Sequence, residues 1–462
     1  MSLPPLHTLS LAGASGLIHR GDLSPVDLVE ACLVRIETLN PALNAFLHVA
    51  ADHARKQAEG AAAAFARGED WGPLHGIPIG VKDLIDVAGM PTTAGSLFMR
   101  DHIASHNAPV ITHLEAAGAI VIGKTHLHEF AVGATNVNPH YGPARNPWNP
   151  ALSPGGSSGG SGVAVAAGMC PGALGTDTGG SVRVPSALCG LTGLRPAIGA
   201  VSTQGVIPMS GTLDTVGPMA HTARDIALML DAMVTEAGQP YVEALGEPVH
   251  GLRVGIPTDD LFWAETMIEV AGLVHGAADV LHDLGVALRQ VRLEGVEDTL
   301  FATGVIGLVD AALYHRERLE THPEMFGEDV RARLQRGKAR PALDYARAMQ
   351  IMRMWQAALA RLFREQIDLL LIPMTPVVSH AISDSEGVAA AAELLRFTYP
   401  FSLSGLPALA LPCGFSEDGL PVGAQLVSPR AHLLLAVAHA YQSLTEWHLR
   451  RPALEGDVPP AT

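Results

Sequence analysis

The chain has 462 residues, 48% of them hydrophobic and 16% charged, which is enough apolar material for a large buried core and too little charge for a disordered polymer. A formal net charge of -16 works against binding to phosphate backbones, which needs a basic surface, so nucleic acid is not an expected partner. A membrane is not expected either: MSLPPLHTLS lacks the basic start and apolar centre of a signal peptide, no apolar run of about 18 residues follows, and the expected location is the cytoplasm.

The first predicted element is a helix opening at LSPVDLVEACLVRIETLN, with Ser24 as cap, Pro25 at the first helical position and Asp27 completing a capping-box pattern. A second helix, rich in alanine and charge, is predicted from Ala50 to Ala66. The texture then changes to short strands between Gly/Pro turns: a strand in GIPIGVKDLIDVAG, then helix and buried strand in APVITHLEAAGAIVIGKTHLHEF. Further on come an Ala/Asp-rich helix, the loop TEAGQPYVEALGEPVH and a strand in GLRVGIP (Gly251 to Pro257). Helical patterns dominate from Thr266 to Gln366, and IDLLLIPMTP returns as a buried strand. Strands alternating with helices predict an α/β fold, and strands on both sides of the helical stretch favour one domain with a shared sheet.

Two stretches carry chemistry. LGTDTGGSVRVPS, Leu174 to Ser186, sets Ser181 after two glycines, with Asp177 and Arg183 placed to brace the turn as an ion pair. Upstream, LSPGGSSGGSGVAVAAG is glycine-rich, but the lysine that a phosphate-binding loop needs is missing; what it offers is close backbone approach and the hydroxyls of Ser157, Ser158 and Ser161. A serine nucleophile needs a base. Arginine cannot be one, and the lysines are only Lys56, Lys82, Lys124 and Lys338. Lys56 falls in a polar helix and Lys338 in an Arg-rich loop, both solvated settings. Lys82, with small neighbours Pro78 and Gly80 on its face of the strand, and Lys124 in AIVIGKTH both sit in apolar settings. A desolvated lysine is neutral enough to take a proton, although Asp83 directly after Lys82 also allows an ion pair. The cysteines Cys32, Cys170, Cys189 and Cys413, without metal or redox spacing, are expected in the core. His126 and His128, at His-x-His spacing, are the one hint of a metal-dependent hydrolase, without companion ligands; no metal and no cofactor are expected.

Taken together, PGGSSGGSGVAVAAG, GTDTGGSVRVPS and GIPIGVKD resemble the motifs of the amidase signature hydrolases, and the similarity continues through GKTHLHEFAVG, YGPARNPW, GLRPAIGAVS, LDTVGPMA, LLIPMTP and SLSGLPALALPCGF. The resemblance implies a mixed central β-sheet sandwiched between layers of α-helices. It implies one domain over 1–462: helices to 70, the signature core in 71–220, a mainly helical substrate-side region in 260–366, a return to the sheet in 367–454 and a tail in 455–462. It also implies a metal-free triad of Ser181 as nucleophile, Ser157 as bridging serine in a cis peptide, and Lys82 as base, with Thr178, Gly179, Gly180 and Ser181 itself forming the oxyanion hole. The pocket would be lined from roughly 300–350 and from loops near Thr203 and Phe397. The expected reaction is hydrolysis of a small carboxamide or aryl amide to a carboxylate and ammonia or an amine; the expected partners are that amide and, at most, a second copy of the chain. The alternative within the family is the glutamine-hydrolysing, A-type component of a tRNA-dependent amidotransferase. Arg396, where an acidic residue would hold the glutamine amino group, and Val184, where glutamine is more typical, speak against it.

Overall fold

The computed structural model describes residues 4–234, 240–385 and 388–454. The tail 455–462 and the first part of the loop 235–250 fall outside them; the rest of that loop carries a short helix, Tyr241–Ala244. The strands are β1 (Phe46–Val49), β2 (Pro78–Lys82), β3 (Ile120–Thr125), β4 (Gly172–Asp177), β5 (Thr192–Arg195), β6 (Thr215–Ala220), β7 (Arg253–Pro257), β8 (Ala287–Val291), β9 (Leu369–Pro373), β10 (Ala408–Phe415) and β11 (Pro421–Val427). They form one 11-stranded sheet in the order β1-β3-β2-β4-β6-β5-β10-β11-β9-β7-β8. Parallel pairing at β3-β2-β4 and at β9-β7-β8 flanks an antiparallel centre, so the sheet is mixed, as the motifs imply.

Most strands are buried along their whole length because helices cover both faces, which is why they read as apolar runs rather than alternating ones. Of these strands, β2, β3, β7 and β9 are the ones read from the sequence, and two of the others are concealed by their place at the sheet edges. β1 is four residues long, and β8, ALRQV, is an edge strand with a mostly solvent-facing surface that reads as a gap between helices. At the helix Pro25–Leu43, Ser24 caps the Val26 amide at 3.2 Å, so the reciprocal box with Asp27 is not formed; that motif occurs instead at Thr222 and Asp225. All four cysteines are free and buried, and burial pushes the Cys170 and Cys413 thiols up to about 12, so they behave as small core residues. No helix among the described residues is long and apolar enough to cross a membrane.

Because β2 and β4 are parallel, Val81 lies opposite Leu174 and the carboxyl ends of both strands open at the same edge of the sheet. Lys82 ends β2; the turn 178–181 follows β4 and leads into the helix Arg183–Leu188. Ends of neighbouring parallel strands are where open α/β sheets build their sites.

Candidate active site

Lys82 is completely buried, and its Nζ lies 2.7 Å from Ser157 Oγ and 2.8 Å from Thr176 Oγ1. Removal from water disfavours the ammonium and brings its pKa down to about 7, against the opposing pull of the Asp214 and Asp177 carboxylates. The residue that follows it, Asp83, does not face it. Alternation along the chain sends Asp83 to Lys124, 3.1 Å away, and both ends of that pair are buried. Lys124 also donates to the Pro91 carbonyl at 2.8 Å and to Thr92 Oγ1 at 3.0 Å, so it is a satisfied structural cation. Lys56 is exposed, and Lys338, at the end of a helix rather than in a loop, bonds to Glu320 at the surface.

The three serines of the glycine-rich run divide their tasks. Ser157 follows a cis peptide bond from Gly156 and meets Lys82. Ser158 Oγ bridges the amide and carbonyl of Thr176 at 3.2 Å each, and Ser161 Oγ donates to the Leu174 carbonyl at 2.8 Å. The last two tie the helix Gly159–Ala166 to β4. The glycines are required where this helix meets the sheet: a Cβ on Gly160 would stand 2.5 Å from the Ala45 carbonyl oxygen.

Ser181 is 5% exposed, and its carbonyl accepts from the Ser158 amide at 3.2 Å, which sets the two serine-bearing turns side by side. Ahead of it, Gly180 has φ +142°, a conformation that L side chains rarely adopt, and a Cβ on Gly179 would stand 2.7 Å from the Tyr399 ring. Among the described residues, none accepts from the amides of Gly179, Gly180 or Ser181. The next two amides, of Val182 and Arg183, go to Asp177 Oδ2 at 3.2 and 3.4 Å.

Asp177 forms a two-pronged pair with Arg183, both prongs at 2.9 Å, and a second contact with Arg195 Nη1 at 3.2 Å; all three side chains are fully buried. Arg183 continues to Gln425 at 2.6 Å and Ser402 at 2.7 Å, anchoring the turn to β11 and to the segment before β10. The arginines hold the Asp177 carboxyl far below the usual carboxylate range despite its burial. Replacing Asp177 with alanine leaves two buried cations short of their counter-charge, and the expected loss is about 3–5 kcal/mol of stability, measured by denaturant unfolding at pH 7. Because the pKa is lowered in the folded state, this stabilisation is present above the unfolded carboxylate value near 4 and is lost as pH falls toward the folded one. The gap between wild type and variant should therefore narrow below about pH 4.

The turn opens into a small cavity of about 50 Å³, lined among others by Thr178, Gly179, Ser181, Met209, Arg333 and Tyr399. Thr303, Gly304, Gly307 and Leu308 come from the helix Val296–Tyr314, within the region expected to line it, and Leu395 and Tyr399 flank Phe397, which is itself core. Thr203 is not at the wall; Met209 and Leu213 take that side, and Ala131 to Gly133 supply a wall the sequence did not indicate. His126 and His128 diverge. His126 bonds to the Gly142 carbonyl at 2.9 Å and to Asn136 at 2.8 Å, and His128 Nε2 reaches Asp329 at 3.0 Å. No group of three or more metal-ligating side chains is gathered among the described residues.

Arg396 is not at the cavity: it pairs with Glu265 near the surface, and Val184 is packed in an apolar cluster with Leu188 and Leu394. Neither side chain lines the cavity, although Val184 packs in one cluster with Leu395 and Tyr399, which do. Thr176, Arg195, Asp214 and Arg333 are not singled out by the sequence, although the first three stand in the quoted motifs GTDTGGSVRVPS, GLRPAIGAVS and LDTVGPMA.

A strand-end lysine against a buried serine, with a second serine in a glycine turn at the same edge of a mixed sheet, gathers the side chains that the family resemblance expects. A family model described as "Amidase" matches residues 27–432, and the chain belongs to the amidase family, as an amide-hydrolysing enzyme. Among curated relatives it is 39% identical over 486 residues to the A-type component of the Glutamyl-tRNA(Gln) amidotransferase of Chloroflexus aurantiacus, covering 97% of this chain and 99% of that protein. Among solved structures it is similar to a chain of a "vestigial protein complex" described as revealing the origins of an s-triazine catabolic enzyme, with TM-score 0.91, 33% identity and coverage of 96% of this chain and 100% of that one. The A-type component of the Glutamyl-tRNA(Gln) amidotransferase of Thermotoga maritima superposes with TM-score 0.79 at 29% identity, covering 95% of this chain and 94% of that one.

Proposed function

We propose that the protein hydrolyses a small primary carboxamide whose acyl part carries a carboxylate, through an ester on Ser181. The observation that carries the chemistry is the buried Lys82 amine, with its pKa near 7, in hydrogen-bond contact with Ser157. In this reading neutral Lys82 takes the Ser157 proton as Ser157 Oγ takes that of Ser181. Ser181 Oγ bonds to the carbonyl carbon, and the unpartnered amides of the turn 178–181 hold the negative oxygen. The proton returns through Ser157 to the leaving nitrogen as the C–N bond breaks. Water, deprotonated by the same relay, then cleaves the ester and frees the acid.

The substrate side of the reading rests on Arg333. It lines the cavity with Ser181 and is 8% exposed, with Asp329 3.8 Å away. A guanidinium there suits a substrate carboxylate, and the small cavity suits a short acyl chain. Two kinds of amide meet these terms. Glutamine is one, in the ammonia-supplying role that an A-type amidotransferase component would have, and the similarity to proteins of that name supports it. A monoamide of a short dicarboxylic acid is the other. The cavity favours the monoamide, because no carboxylate among the described residues lines it to meet the glutamine ammonium.

The test is ammonia release from succinamate, glutamine and butyramide by wild type and Arg333→Met. We expect succinamate to be preferred, and the variant to raise its KM about 10- to 100-fold, the scale of a lost charge-assisted hydrogen bond. The KM for butyramide should hardly move. Equal changes for both amides would remove Arg333 from substrate recognition, and glutamine as the preferred substrate would establish the amidotransferase-type role.

A further inference from the structure

One carboxylate at this site has no part in the relay. Asp214 precedes β6, whose first residue, Thr215, lies opposite Asp177, so Asp214 stands beside Thr178 where the β4-β6 ladder ends. Thr178 Oγ1 donates to Asp214 Oδ1 at 2.5 Å, and the amides of Met209 and Ser210 donate to Oδ2 at 2.9 and 3.0 Å. Thr178 and Met209 both line the cavity, from different segments, and this carboxylate joins them. A second carboxylate reinforces the join: Asp310, on the helix Val296–Tyr314, accepts from Ser210 Oγ at 2.6 Å and from the Thr212 amide at 3.3 Å.

Thr176, on β4, meets Lys82, and Thr178, two positions on at the start of the turn that follows β4, meets Asp214. We infer that Asp214 is a positioning residue of the active site, one that fixes Thr178 against the Met209 wall and holds a negative charge within range of the Lys82 amine. This rests on the reading of Lys82 as the base.

The charges acting on Lys82 divide into two sets. Asp177 on β4 is already engaged by Arg183 and Arg195, whereas Asp214, whose carboxyl burial pushes up, is held in its charged form by a hydroxyl and two amides, with Arg195 acting on it only at a distance. The nearby Asp83 belongs to Lys124. Asp214 therefore favours the protonated amine and opposes the effect of burial. Its removal should lower the Lys82 pKa, so that the neutral, reactive form appears at lower pH.

The experiment measures the rate constant for inactivation by a fluorophosphonate from pH 5.5 to 9.5, which needs no knowledge of the natural amide. Wild type should show a rise centred near pH 7. Asp214→Asn should move that centre down by about one unit and lower the plateau. Asp214→Glu, which keeps the charge, should restore the centre. Thr178→Val, which removes the bond and keeps the carboxylate, should lower the plateau at an unchanged centre, and this variant carries the test if Asp214→Asn does not fold. A centre that stays put in Asp214→Asn, or one that moves in Thr178→Val, overturns the inference while leaving Lys82 as base. A wild-type profile with no rise near pH 7 overturns the Lys82 reading itself, and the inference with it.

Discussion

Replacing Ser181 with alanine is expected to lower amide turnover by a factor on the order of 10⁵, because in the proposed mechanism Ser181 alone carries the acyl group. The variant should fold. Ser181 contributes its carbonyl to the Ser158 amide, a bond that alanine keeps, and the turn is held by Asp177, Arg183 and the glycines rather than by the hydroxyl. Ammonia release over hours, normalised to folded protein by near-UV circular dichroism, is the measurement. Residual turnover within about tenfold of wild type would mean that the hydroxyl is not the attacking group.

Lys82→Arg is the second large effect. Arginine keeps the charge but cannot give up its proton, so the relay has no acceptor, and amide turnover should fall by a factor on the order of 100 or more. Ester turnover should fall less, since an alkoxide leaves with less need of a proton than an amide nitrogen. Wild-type activity should rise with pH through about 7 as Lys82 loses its proton, and this limb should vanish in the variant. Lys124→Met gives the contrast. It leaves Asp83 buried without its cation, which should cost about 3–5 kcal/mol of stability while sparing turnover per folded molecule. An inactive Lys124→Met beside a near-normal Lys82→Arg would exchange the two assignments, and equal losses for ester and amide would rule out protonation of the leaving group as the step that Lys82 serves.

Lys82 and Lys124 show what a sequence can and cannot say. Lys82 is the last residue of β2 and Lys124 the last but one of β3, and both lie in the motifs GIPIGVKD and GKTHLHEFAVG. Both are inside because both faces of the sheet are covered; alternation turns Asp83 away from the face of Lys82, and the cross-strand register brings Lys124 to the face of Asp83, leaving Lys82 to Ser157. The serines behave alike. Ser157, Ser158 and Ser161 are equivalent in composition; the family resemblance picks out Ser157, and the fold supplies the reason, since it meets the lysine while the other two bond to β4. The turn 178–181 was legible because glycine there answers a local need, the conformation of Gly180 and the approach of Tyr399 to Gly179. Arg195, Asp214 and Arg333 had no such local signature. Each acquires its place through contacts with distant segments, as Arg333 does from a charged helix that reads as solvated surface. The strands β1 and β8 were hidden for a related reason: pairing at an edge, and not burial, makes them strands.

Everything in the proposed mechanism depends on Ser181 carrying the acyl group. That role is tested by intact-mass spectrometry after treatment with a serine-directed fluorophosphonate, followed by peptide mapping. A single adduct is expected on the peptide containing GGSVR, formed faster at pH 8 than at pH 6 and absent from Ser181→Ala. An adduct of the same mass and yield on Ser181→Ala, or one mapped to another serine in wild type, would take the nucleophile's role away from Ser181.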